Sequence, residues 1–366
     1  MMADARFMRV ALALARRGLG RTWPNPSVGC LIVKNGIMVG RGWTQPGGRP
    51  HAETEALARA GRNAKGADAY VTLEPCCHHG KTPPCTNALI AAGIRRAVVA
   101  VEDPDPRVAG KGIAALRAAG IAVELGVAAD EAHETNAGFM STIARGRPLV
   151  TLKLATSLDG RLAVASGESR WITGEPARAR GHLLRATHDA VMVGSGTVIA
   201  DDPELTCRLP GLSDRGPVRV VIDGGLRVPL TVRLIAEARR TPTWFVVRHG
   251  IAGERRAALT ACGVAVIDVP ATPGGETDLA AALAALAEKG ITRVLVEGGA
   301  TLATALVRAD LVDRIAWFRA PSLIGGDGLP VLAALGVAAP EQARRFARVG
   351  IEPVGDDVLE TLQRAV

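Results

Sequence analysis

The 366-residue sequence predicts a mixed α/β protein made of two units, each a sheet layered with helices. Three observations predict it. Short apolar runs of strand length alternate with helical stretches along the whole chain. An Asn35-Gly36 pair stands between two β-prone runs, which is a hairpin signal because both central residues of the favoured turn need positive φ. The alternation then breaks at Ala144-Arg145-Gly146-Arg147-Pro148 and resumes at Leu149. At this length, with 48% hydrophobic residues, the chain can bury two cores, so units spanning 1–146 and 147–366 are expected.

The apolar start, 7–15, is interrupted by Arg9 and followed by Arg16 and Arg17, which reads as an amphipathic first helix and not as a signal peptide. Strands over 28–33 and 37–42 form the hairpin. A helix over 51–60, a strand over 69–73, a helix over 83–92, a strand over 97–102, a helix over 111–119 and a strand over 121–125 follow. In the second unit the expected strands are 149–154, 190–193, 218–222, 243–247 and 293–297, with helices over 176–187 and 279–288 between them. The alanine-rich tract 280–287 places leucines at 283 and 286, the spacing of an ordinary helix face.

Composition excludes several classes. No apolar run approaches the roughly 20 residues of a membrane helix, so a soluble cytoplasmic protein is expected. Six cysteines without a regular framework point to reduced thiols. The net charge of +8 is scattered, and aromatics are only 3% with one tyrosine. A surface that binds single strands interleaves basic residues with stacking rings, and that interleaving is absent, so no nucleic-acid partner is expected. Phosphate-bearing small molecules fit the residual positive charge.

The chemistry gathers between 51 and 85. His51 and Glu53 open one expected helix, Cys76 follows Glu74-Pro75 at a strand end, and Cys85 sits just inside the next helix. One imidazole and two thiolates leave a fourth tetrahedral position of Zn2+ open, as a catalytic site requires. Glu53 is then the carboxylate that carries a proton from the zinc-activated water to a leaving amine. Zinc deaminases carry H-x-E followed by P-C-x-x-C; here eight residues, Cys77 to Pro84, separate the two thiols. Cys77 is an alternative ligand, disfavoured because Cys76 is the residue that follows Pro75. A closed structural site with Cys77 or His78 as fourth ligand is the competing reading, and it leaves Glu53 without a purpose.

The stretches NPSVGCLIV, HAE, TLEPCCHHGKTPPC, VEDPDPRVAGKGI, TLKLATSLDGRLA, SGESRWITG, ADDPELTCR, VLVEGGATLA and APSLIGGDG occur in this order and span nearly the whole chain. In them the sequence resembles the bifunctional deaminase-reductase family of riboflavin biosynthesis. The resemblance implies a three-layer, cytidine-deaminase-like first domain and a dihydrofolate-reductase-like second domain. It also implies hydrolytic deamination of a 2,5-diamino-6-ribosylamino-pyrimidinone phosphate, then NADPH-dependent reduction of the ribose moiety to ribityl, and an enzyme that works as a homo-oligomer.

Carried over by resemblance, His51, Cys76 and Cys85 are the zinc ligands, Glu53 is the proton shuttle, and Asn25 and Lys81 contact substrate. Thr44 stands where many members carry histidine, which puts one contact in doubt. In the second domain the common dinucleotide fingerprint is missing. The resemblance instead lines the cofactor with Ala155, Trp171, Thr197, Asp201 and the run Gly299, Ala300, Thr301, Leu302, Ala303, Thr304 and Ala305. Lys153, Ser169, Arg185, Leu205, Arg208 and Glu297 would hold the substrate, Asp201 and Glu297 being candidates for the acid. The competing functional class is a nucleic-acid-editing zinc deaminase with an accessory domain. Tight, salt-sensitive RNA retention would favour it.

Overall fold

The computed structural model describes residues 2–251 and 253–365. The chain forms two compact units that part between Gly146 and Arg147.

The first unit holds strands β1 (Gly29–Lys34), β2 (Ile37–Trp43), β3 (Asp68–Val71), β4 (Arg96–Val99) and β5 (Ala122–Leu125) in the order β2-β1-β3-β4-β5. β1 pairs antiparallel with β2 and β3, and the rest of the sheet is parallel. The expected hairpin turn is present: Asn35 and Gly36 have φ of 51° and 77°, and Lys34 pairs with Ile37. Around the sheet lie α1 (Met2–Ala15), α2 (Ala52–Ala60), α3 (Cys85–Ala91), α4 (Lys111–Ala118) and α5 (Ala129–Arg145). Glycines explain how closely two of these helices pack. A Cβ on Gly29 would lie 1.8 Å from Ala11 O on α1, and Cβ atoms on Gly40 and Gly42 would lie 2.3 and 2.2 Å from Ala56 O and Ala52 O on α2. Gly42 pairs with Cys30, the neighbour of Gly29 in β1, so the two contacts fall on opposite faces of the sheet. This makes the unit three-layered, as the resemblance implies.

The second unit is built on a nine-stranded sheet, and its strands are β6 (Leu149–Thr156), β7 (Arg161–Ala163), β8 (Ala190–Gly194), β9 (Val218–Ile222), β10 (Thr243–Arg248), β11 (Ala265–Val269), β12 (Arg293–Val296), β13 (Arg314–Arg319), β14 (Leu329–Pro330), β15 (Phe346–Val354) and β16 (Asp357–Arg364). The large sheet runs β11-β10-β9-β8-β12-β6-β13-β16-β15, with β14 and β7 forming a separate pair. It is parallel from β11 to β13 and antiparallel beyond. Its helices are α6 (Glu175–Ala186), α7 (Ser195–Asp201), α8 (Arg233–Ala236), α9 (Glu254–Ala261), α10 (Leu279–Glu288) and α11 (Ala300–Arg308). β12 is buried along its whole length, the condition of a parallel strand covered on both faces.

Strands expected over 69–73 and 97–102 stop at Val71 and Val99. Beyond those ends the two segments stay side by side through Ala100 N–Val71 O and Glu74 N–Val101 O hydrogen bonds of 3.0 and 2.9 Å. No described helix is long and apolar enough to cross a membrane.

One buried histidine links this fold to pH. His188 Nδ1 donates to Leu184 O at 2.7 Å, and Nε2 lies 3.0 Å from the Thr151 hydroxyl, which can donate to the neutral ring. Burial, helped by Arg293, pushes it down to about 3. An unfolded histidine titrates near 6.5. The contribution of His188 is therefore complete above about pH 6.5 and is lost as pH falls toward 3. Urea midpoints read by tryptophan fluorescence should decline over that window, and less steeply in His188→Gln.

Candidate metal centre and reductase cleft

His51 is the residue that caps α2 in an extended conformation, and Glu53 lies one residue into the helix, 3% exposed. Cys85 begins α3, and its backbone N–H donates to Cys76 Sγ at 3.3 Å. His51 Nδ1 lies 3.3 Å from Cys85 Sγ and 3.6 Å from Cys76 Sγ, and the three ligand atoms fall within 4.8 Å of one another. Zinc–nitrogen and zinc–sulfur bonds of ordinary length at a tetrahedral angle put nitrogen and sulfur about 3.6 Å apart, so the donor set fits zinc. Among the described residues no fourth histidine, cysteine or carboxylate joins the cluster. Cys77 Sγ turns instead to Arg107 O. The closed structural site is therefore not what these side chains form.

The electrostatics favour one thiolate, on Cys76. The Cys85 thiol, with the His51 ring adding to it, holds Cys76 down at about 4 against the opposing effect of burial. Cys85 is correspondingly pushed up, by Cys76 first and then by burial. Burial raises Glu53 to about 7, and the charge on Cys76 adds to the rise.

Two residues outside the expected set shape this site. Glu74, 3% exposed, accepts from the backbone N–H groups of Asp103, Gly110 and Ile113 at 3.2, 3.0 and 3.0 Å, which ties the strand end before Cys76 to the start of α4. Arg49 reaches from the segment before His51 to the Thr82 hydroxyl, beside the exposed Lys81. Neither has a spacing signature, because both act across segments far apart in sequence. Asn25 donates to Gly48 O at 2.9 Å and so latches the loop that leads to His51. Thr44 is buried and its hydroxyl oxygen accepts from Val28 N at 2.9 Å.

The backbone approach of β2 to α2 bears directly on the metal centre. A methyl group at Gly42 would meet Ala52 O, the residue between His51 and Glu53. Gly42→Ala is expected to cost about 1–3 kcal/mol by overpacking and to push the start of α2 outward. Zinc affinity, read by chelator competition, should weaken while reductase turnover stays normal.

In the second unit Lys153, Ala155, Ser169, Trp171, Arg185, Thr197, Asp201, Leu205, Arg208 and Glu297 line one cleft of about 690 Å³. Arg185 grips Glu297 through Nε–Oε1 and Nη2–Oε2 contacts of 2.6 and 2.9 Å. Burial alone would raise Glu297, but the Arg185 guanidinium, with Lys153 behind it, holds it down at about 2. Burial also lowers Lys153, whose ammonium lies over the Phe318 ring. Leu205 is held at φ 54°, a left-handed conformation uncommon outside glycine, in a loop that lines the cleft.

The run Gly299 to Ala305 stands apart from that lining. Gly299 caps α11, and its N–H donates to Thr197 Oγ1 at 3.1 Å, joining the carboxyl ends of β12 and β8. Ala300 and Ala305 are half-buried and Thr301 is exposed, whereas Leu302, Ala303 and Thr304 face the core. The cleft is also lined by residues outside the expected set, Arg178 and His182 among them. Arg178, His182 and Arg185 stand on α6 at i, i+4, i+7 spacing, on one face of the helix. Arg178 stacks 4.5 Å over the exposed Trp171 ring. That spacing was the available signal.

Residues 1–101 match the cytidine and deoxycytidylate deaminase zinc-binding region, and residues 148–359 match the RibD C-terminal domain. Fold and sites together define a two-unit enzyme, a zinc deaminase followed by a reductase. The chain is 44% identical to the riboflavin biosynthesis protein RibD of Escherichia coli, covering 98% of both chains, and 43% identical to that of Bacillus amyloliquefaciens, covering 96% of this chain and 94% of the relative. Among solved structures it is similar to Acinetobacter baumannii RibD at 40% identity, TM-score 0.89, covering 100% of this chain and 99% of that one. It is also similar to the Thermotoga maritima diaminohydroxyphosphoribosylaminopyrimidine deaminase/5-amino-6-(5-phosphoribosylamino)uracil reductase at 34% identity, TM-score 0.87, with coverage of 100% and 99%. The chain belongs to the RibD family, the bifunctional deaminases and reductases of riboflavin biosynthesis that use zinc and NADPH.

Proposed function

We propose that residues 1–146 deaminate 2,5-diamino-6-ribosylamino-4(3H)-pyrimidinone 5′-phosphate and that residues 147–366 reduce its ribose moiety to ribityl. The observation that carries this reading is the convergence of His51, Cys76 and Cys85 beside buried Glu53, in a chain that matches RibD proteins over almost its full length.

His51, Cys76 and Cys85 would hold the zinc, which supplies Lewis acidity and an acidified water when bound. Glu53 takes a proton from the attacking water and hands it to the departing amine; ammonia leaves and a carbonyl remains. Lys81 would meet the substrate phosphate, and Asn25 keeps the loop before His51 in place.

When bound, NADPH would supply the hydride that reduces the opened sugar. Trp171, Thr197, Asp201, Ala155 and the start of α11 would hold it, the glycines before that helix letting phosphate oxygens approach backbone N–H groups. Arg208 offers a guanidinium fork to the substrate phosphate, while Arg185 holds Glu297, which with Lys153 orients the sugar. Asp201 is the candidate for the proton, since Arg185 keeps Glu297 ionised. The sparse aromatic residues support small-molecule substrates over nucleic acid, and we place the enzyme in the cytoplasm as a homo-oligomer.

The test is an assay of the purified chain with the diamino-pyrimidinone phosphate, following ammonia release and NADPH oxidation separately. Zinc-dependent ammonia release should precede NADPH oxidation. Neither event with this substrate would refute the reading.

A further inference from the structure

The order of strands along the large sheet sets the direction of a bound dinucleotide. Ligands of open α/β sheets bind in the crevice outside the carboxyl ends of the strands. Here those ends follow one another as β6, β12, β8, β9 and β10, about 4.8 Å apart. Lys153 on β6 and Glu297 after β12 belong to the sugar being reduced, so the nicotinamide lies over that end. The turn into α11 and Thr197 after β8 come next, bridged by the Gly299–Thr197 hydrogen bond. The adenosine half must continue toward β9 and β10.

What stands there is a pair of arginines. Asp223 follows β9 and is 1% exposed; its Oδ2 accepts from Val228 N at 2.9 Å, while Oδ1 is buried with no hydrogen-bond partner and lies 4.0 Å from Arg227 Nε. The Arg227 side chain is 73% exposed, and its Nη2 donates to Ser195 Oγ at 2.8 Å, at the start of α7. Arg248, at the end of β10, is fixed by Nε to Gly224 O at 3.1 Å and by Nη1 to Gly275 O. A Cβ at Gly225 would lie 3.7 Å from Arg248 Nη2 and 3.8 Å from Arg227 Cγ, so the glycine leaves the space between the two arginines clear.

Resting on the reductase reading above, we infer that Arg227, assisted by Arg248, recognises the 2′-phosphate on the adenine ribose and thereby selects NADPH over NADH. A phosphate monoester dianion matches the guanidinium fork in both charge and shape. A free 2′-hydroxyl does not, and its usual partner is a carboxylate presented at a strand end. Asp223 occupies that strand end, but its carboxylate is buried, with Oδ2 engaged by Val228 N and Oδ1 on the side of Arg227.

The test is calorimetric titration of the full chain with adenosine 2′,5′-bisphosphate and adenosine 5′-monophosphate. Wild type should bind the bisphosphate more tightly. Arg227→Ala should weaken the bisphosphate by about 10- to 100-fold and the monophosphate by less than about twofold. Arg227→Lys should recover part of the difference, since the charge remains without the fork. The Michaelis constant for NADPH should rise in Arg227→Ala while that for NADH holds. Equal weakening of both nucleotides, or an unchanged preference, overturns the assignment while NADPH oxidation by wild type leaves the reductase reading intact. Wild type that binds neither nucleotide and oxidises no NADPH sinks both.

Discussion

Glu53→Gln is expected to lower ammonia release by at least about a hundredfold, at the low end of what a positioned acid–base group contributes. Glutamine keeps the shape of the side chain but cannot accept and return a proton. Glu53 is 3% exposed and is no member of the ligand cluster, so its replacement leaves His51, Cys76 and Cys85 in place. Zinc content by atomic absorption and NADPH oxidation of the deaminated substrate should both stay at wild-type levels. Loss of zinc together with activity would show that Glu53 holds the centre together instead of moving protons.

The mirror-image experiment is Arg185→Ala. Arg185 and Glu297 are only 14% and 11% exposed and pair through two short contacts, so removing the guanidinium leaves a carboxylate in the cleft beside Lys153 with its principal partner gone. Truncating one partner of such a pair costs about 2–5 kcal/mol, which expressed in kcat/KM is a fall of about 30-fold or more. Arg185→Lys should rescue little, because an ammonium cannot make both contacts. Ammonia release should continue unchanged. If reductase turnover also survives, the Arg185–Glu297 pair is a structural strut and not part of the substrate site.

Much of the first site was legible before any coordinates. His51 and Glu53 are two residues apart on one helix start, and Cys76 and Cys85 flank a single loop, so local spacing carried the donor set. The exclusion of Cys77 needed the fold, because only the loop geometry turns its sulfur toward Arg107 O. Glu74 and Arg49 were invisible for the same reason. Their partners lie in other segments, and no periodicity encodes them. In the second unit five strands of the parallel sheet were readable as apolar runs, whereas β11, β13 and β15 were not; β15 is an exposed edge strand interrupted by Gly350 and Pro353, with no buried face to impose a pattern. α5 also escaped notice, since it begins after a left-handed Ala128 with no side-chain cap to announce it.

The amino-acid sequence by itself determined the chemical kind of protein: two α/β units, a histidine and two cysteines around one carboxylate, and the motifs of a riboflavin deaminase-reductase. Only the tertiary structure decided which cations and carboxylates meet. Arg185 and Glu297 are 112 residues apart and Arg227 and Ser195 are 32 apart, and each pair is joined by strand order in the sheet. Ligand atoms on neighbouring turns are set by local backbone geometry. Charges brought together across a sheet depend on which strands lie side by side, and that is settled by burial of the whole core.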